Sequence, residues 1–146
     1  MKIFCVAVLF SVVLMTRAVM YKDCGSATCV LNSVDVSGCA ADAQTCNFVR
    51  GQTANMTLKF TTKSDVNNLK NNVQGLVGGT WVPFQNKDAC PTITPACPVP
   101  SGTDATFTIS IVVSKLYPQI GLIIEDKMTD STGAVCTCFE LQAKIV

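Results

Sequence analysis

Over several short stretches of this chain, apolar and polar side chains alternate with a period of two. In residues 106–113, Phe107, Ile109, Ile111 and Val113 share one face, while Thr106, Thr108 and Ser110 share the other. That alternation predicts a half-buried strand. Residues 55–61 repeat it with Met56, Leu58 and Phe60 inward. Near the end, Phe139, Leu141, Ala143 and Ile145 alternate with Glu140, Gln142 and Lys144. Residues 30–36, 45–50, 73–77 and 120–128 are further candidates, and Leu122 and Ile124 are in phase in the last of these. Turn formers lie between them: Ser37-Gly38, Arg50-Gly51, Gly78-Gly79, Pro100-Ser101-Gly102 and Ser131-Thr132-Gly133. About seven short strands separated by loops predict an all-β antiparallel sandwich. The asparagine-rich stretch 65–72 reads as a polar loop, and Trp81 and Phe84 read as aromatics in a loop after Gly78-Gly79.

The N-terminus departs from this pattern. Lys2 precedes an apolar run over residues 3–15 broken only by Ser11, and Thr16-Arg17-Ala18 then offers small residues where a signal peptidase reads. Residues 1–18 are therefore expected to be a signal peptide, with a single domain over residues 19–146. The run is short for a membrane span. The expected location is secreted, meaning the extracellular space or the lysosomal lumen.

Cysteine usage agrees with that compartment. Of nine cysteines, Cys5 falls in the leader, and the other eight form an even set suited to a disulfide framework. Cys39/Cys46 and Cys90/Cys97 each bracket six turn-rich residues and predict local loops. Cys136 and Cys138 are two apart on a predicted strand, so both are expected on one face, and each needs a partner elsewhere. The terminal spacing is not that of a zinc knuckle, so no metal is expected. The chain has no histidine. That removes the commonest general base and every Ser-His or Cys-His pair, and the carboxylates are scattered, so neither enzyme activity nor a cofactor is expected. Losing Lys2 and Arg17 takes the net charge from +1 to −1 with no basic tract left, which argues against nucleic acid as a partner.

The order of short motifs is more specific. Tyr21-Lys22-Asp23-Cys24-Gly25-Ser26 is followed by the Cys39/Cys46 bracket, Asn55-Met56-Thr57 and Val82-Pro83-Phe84. The Cys90…Cys97-Pro98 bracket, Leu116-Tyr117-Pro118 and Cys138-Phe139-Glu140 complete the series. In this order the chain resembles the secreted Niemann-Pick type C sterol-carrier branch of the ML lipid-recognition domain family, which includes mite allergens and insect lipid and odorant carriers. The resemblance implies an immunoglobulin-like two-sheet sandwich with a hydrophobic cavity between the sheets. It implies disulfides Cys24–Cys138, Cys39–Cys46 and Cys90–Cys97, which leaves Cys29 and Cys136 to each other. It also implies gate and pocket positions at Val82, Phe84, Val113, Tyr117 and Pro118. The inward apolar residues Leu58, Phe60, Phe107, Ile109, Ile111, Leu122 and Ile124 are expected to complete the ligand site. Asp126 stands where sterol carriers of this branch commonly have tryptophan. Its carboxylate is expected either at the pocket rim or on a strand already emerging into solvent.

These readings converge on a monomeric secreted carrier that binds a hydrophobic small molecule (a sterol, fatty acid or similar semiochemical) and hands it to a membrane acceptor or receptor. Asn55, outward on its strand in an Asn-X-Thr pattern, is a glycosylation candidate. Two alternatives stay open. One is a lipid-presenting recognition module in innate immunity or chemosensation, and the other is a structural domain with a filled core. A carrier is expected to keep a cavity of about 300 Å³ or more.

Overall fold

An extended chain turns successive side chains to opposite sides, so each alternating stretch presents one apolar row that only a second sheet can cover. A computed structural model describes residues 19–40 and 42–146, and the expected signal peptide lies outside the described residues. Its strands are β1 (Lys22–Asp23), β2 (Cys29–Val36), β3 (Cys46–Phe48), β4 (Thr53–Thr62) and β5 (Lys70–Val77). They continue with β6 (Thr80–Asp88), β7 (Ile93–Thr94), β8 (Asp104–Val112), β9 (Gly121–Thr129) and β10 (Val135–Ile145), and one 3₁₀ turn spans Cys90–Thr92. Strands β1, β3 and β7 have only two or three residues, which leaves seven long strands.

One sheet runs β1-β10-β9-β5-β6, with β3 also on β10, and the other runs β2-β4-β8-β7. All pairings are antiparallel except β3 with β10. The fold is therefore a two-sheet β-sandwich. Its inward rows make one core, with Met56, Leu58, Phe60, Phe107 and Ile109 from one sheet facing Val73, Met128, Phe139 and Leu141 from the other.

Three local departures from the sequence reading have physical causes. Strand β6 occupies the segment after Gly78-Gly79 that reads from sequence as an aromatic-bearing loop. It forms anyway as an edge strand, where a proline is tolerated. Gly78 and Gly79, at φ 56° and 81°, make the two-residue turn that folds β6 back on β5. Residues 70–72 are not loop, because β5 begins at Lys70 and Asn71 is buried. Residues 45–50 shrink to the three-residue β3.

The disulfides are Cys24–Cys138, Cys29–Cys136, Cys39–Cys46 and Cys90–Cys97. A register shift between Val135 and Thr137 breaks the alternation of β10, so Cys136 packs in the core and Cys138 outside it. The Cys29–Cys136 bond joins β2 of one sheet to β10 of the other. It staples one end of the sandwich. At the opposite end, around Val113, Leu122 and Ile145, Cys39–Cys46 ties the turn after β2 to β3 of the six-stranded sheet.

Candidate functional site: an apolar cavity between the sheets

At that opposite end the two sheets leave a cavity. From the six-stranded sheet and β3 its walls are Phe48, Val73, Leu122, Ile124 and Ile145. Ile111 and Val113 close it from the β8 side, and Phe84 and Tyr117 stand over it. No polar group contributes to the lining surface.

The position of Phe84 follows from backbone irregularity. Val73 pairs with Gln85 and Gln74 pairs with Pro83, so Phe84 has no opposite residue and sits in a β-bulge. The bulge turns its ring over the sheet, and Gly75 makes the space. A Cβ on Gly75 would lie 2.5 Å from Phe84 Cε2 and 2.8 Å from Leu122 Cδ1. The ring meets Tyr117 at 5.8 Å between centroids, tilted by 43°. Val113 is fixed by two backbone bonds: its carbonyl accepts from Gly51 N–H at 2.6 Å, and its N–H donates to Gln52 O at 2.9 Å. An Arg50 guanidinium N–H reaches the Tyr117 carbonyl at 3.5 Å.

The cavity is small, at about 30 Å³. That is room for one or two waters, not the 300 Å³ expected of an occupied carrier pocket. Dense packing in the rest of the sandwich accounts for it. A lipid-sized ligand therefore needs the walls of this cavity to move apart.

A family model described as the ML domain matches residues 18–145. The chain belongs to the ML domain family. ML-domain proteins of the type C2 group are non-enzymatic lipid binders. This ML domain is 28% identical over 137 residues to the NPC intracellular cholesterol transporter 2 homolog a of Drosophila melanogaster, covering 92% of this chain and 93% of that protein. It is 30% identical over 127 residues to NPC intracellular cholesterol transporter 2 of Mus musculus, covering 86% and 83%. Among solved structures, a Niemann-Pick type C2 protein from Japanese carpenter ant superposes with a TM-score of 0.80 at 25% identity, over 87% of this chain and 99% of that one.

Within this ML domain, the expected site residues separate into two groups. Phe84, Val113, Tyr117, Ile111, Leu122 and Ile124 come together around the cavity. Leu58, Phe60, Phe107 and Ile109 do not line it. They are buried in the packed core, where Leu58 lies opposite Phe107 and Phe60 opposite Ala105. An inward phase assigns a residue to the core, but not to the part of the core where the sheets diverge. Val82 and Pro118 do not line the cavity either, and both are exposed. Phe48, Val73 and Ile145 were missed. Ile145 and Val73 were in phase on predicted strands, and only the three-dimensional path of β3 brings Phe48 to them.

Asp126 occupies neither of its two expected positions. It is fully buried on the inward row of β9, two residues beyond Ile124, and opposite Val73 on β5 and Phe139 on β10. Its Oδ1 accepts a 2.8 Å hydrogen bond from Asn71 Nδ2. Burial pushes its pKa up to about 7, the Asn71 bond pulls the other way, and the charge of Glu125 adds to the rise. On the outer side of the same strand, Glu125 accepts from Gln74 at 3.0 Å and pairs with Lys127 at 3.4 Å. Cys24, Glu125 and Cys138 cluster there, but the two sulfurs are bonded to each other, so the group offers no thiolate to a metal. Asn55 is exposed on β4, where the Ser110 hydroxyl donates to its Oδ1 at 2.6 Å.

Proposed function

We propose that this ML domain is a monomeric carrier, secreted or lumenal, that takes a hydrophobic small molecule between its sheets and passes it to an acceptor. The observation that carries this reading is the wholly apolar cavity between the sheets, topped by the Phe84–Tyr117 pair. The sterol-transporter names of the fly and mouse relatives favour a sterol or another lipid. Four disulfides fit an oxidising compartment. No helix among the described residues is long and apolar enough to cross a membrane. Affinity then comes from buried hydrocarbon, and release needs no chemistry. At about 0.8 kcal/mol per methylene, affinity for a homologous lipid series should rise about fourfold per carbon until the chain outgrows the opened cavity.

The small cavity volume favours one rival, a structural domain with a filled core. Val113→Phe separates the two readings. If the sheets part at this end, the added ring occupies the mouth and abolishes displacement of a fluorescent lipid while the melting temperature stays within a few degrees of wild type. In a filled core the ring overpacks and costs about 1–3 kcal/mol. A large loss of stability, or full-strength lipid binding by the variant, would count against the carrier.

A further inference from the structure

Asp126 is 0% exposed and lies on the inward row of β9, opposite Val73 of β5 and Phe139 of β10 and two residues beyond Ile124. Val73 and Ile124 are walls of the apolar cavity. The carboxyl therefore sits directly behind that wall without lining it. Its hydrogen bonding is incomplete: Oδ1 accepts one bond from Asn71, and Oδ2 has no partner. Asn71 Oδ1 and Thr137 Oγ1, on the strands flanking Met128, are also buried without partners. A carboxylate anion accepts about four hydrogen bonds, and one amide donor is far short of that. The packing seen here suits the neutral acid only.

The charges nearby do not relieve it. Glu125 and Lys127 stand in the outer row of β9, with Glu140 of β10 opposite Glu125. Lys70 of β5 is exposed, and so is Lys87 of β6, opposite Asn71. From the facing sheet Leu58, Phe60 and Phe107 point inward, whereas Asp35, Lys59 and Asp104 are exposed. The Tyr21 ring meets Phe139, and burial raises its phenol above the ordinary value of 10, so it stays neutral below that.

We propose that Asp126 is a proton latch on the cavity: while it holds its proton the walls stay together, and its ionisation drives them apart so that water reaches the carboxylate. This inference rests on the carrier reading and names its regulation. The wall formed by Val73 and Ile124 separates Asp126 from the cavity, so opening that wall both hydrates the carboxylate and makes room for a ligand. The closed state keeps the proton up to about 7, and the hydrated one releases it at the ordinary 3.8. Between those values the closed state binds more protons, so opening is favoured as pH rises and levels off above about 7. For full hydration in the open state, its population rises about fiftyfold from pH 5 to 7. The cavity is thus held shut in acid and admits ligand near neutrality.

The association rate of a fluorescent naphthylamine probe, followed by stopped flow at about pH 5, 6, 7 and 8, tests the latch because entry requires the open state. In wild type the rate should rise at least about tenfold between the first and third of these and then level off. Asp126→Asn has the shape of the neutral acid and cannot ionise, so it should bind the probe slowly at every pH. Glu125→Gln should keep the acceleration but level off at lower pH, because the Glu125 charge helps to hold the proton on Asp126. A wild-type rate that does not change with pH overturns the latch while the carrier reading stands, and needs no variant to fold. An Asp126→Asn protein that accelerates as wild type does overturns it equally. Wild-type protein that binds no probe at any pH overturns both readings.

Discussion

Raising the pH from acid toward neutrality should destabilise this protein, and the cause is Asp126. In the folded chain its carboxyl keeps its proton up to about 7, because burial excludes the water that would solvate the anion. In the unfolded chain the same group titrates at its ordinary value of 3.8. Between those values the folded state binds more protons than the unfolded state, so stability falls as pH rises. The contribution is fully present below pH 3.8, fades through the window and is lost above about 7. A rise of that size corresponds to about 4 kcal/mol. For a domain of this length that amounts to roughly 10–20 °C in melting temperature. Asp130 acts oppositely: the hydrogen bond from the Thr132 hydroxyl and neighbouring backbone N–H groups hold its pKa low, so its effect appears only on stronger acidification. Urea or thermal unfolding at about pH 5, 6, 7 and 8 isolates the Asp126 window. Asp126→Asn keeps the shape without a titrating proton, and its stability should be nearly level over the same range. If wild type and variant show equally flat profiles, Asp126 is solvated, and both its burial and its raised pKa are refuted.

Two further predictions concern packing and the disulfides. Gly75→Ala should push the Phe84 ring off Tyr117 and weaken lipid binding with a stability loss below about 2 kcal/mol, because the clashing atoms are side-chain ends free to move outward. Melting curves and a Phe84–Tyr117 nuclear Overhauser contact check this, and an unchanged contact would disprove the role assigned to Gly75. Removing Cys29–Cys136 by paired Ala substitutions should cost only about 2.5 kcal/mol, because Cys24–Cys138 still closes nearly the same loop and the bridge then shuts only a short ring. Removing both bridges should cost more than the two single losses combined, and strict additivity in denaturant unfolding would contradict the shared-loop account.

Alternation by itself determined most of the architecture. The rows Phe107-Ile109-Ile111 and Met56-Leu58-Phe60 needed an opposing sheet whatever the rest of the chain did, because a period of two puts every apolar side chain on one face. The eight cysteines from Cys24 to Cys138 likewise pointed to a disulfide-stapled domain. The local pattern carries no information about where along the sandwich the two sheets stay close and where they diverge. Phe60 and Phe107 have the same inward phase as Ile111 and Ile124, yet the first pair is packed core and the second pair lines the cavity. Bulges were equally silent. The extra residue that aims Phe84 inward, and the shift that separates Cys136 from Cys138, exist only in the register between strands. Strand β6 forms because β5 offers an edge, not because its own sequence alternates. The clearest contrast is Asp126, a charged type placed in phase with Leu122 and Ile124. Phase alone allowed a rim position or an exit into solvent. Only the covering sheet, together with Asn71 and Phe139 on the strands flanking β9, made it a buried acid that keeps its proton near neutral pH.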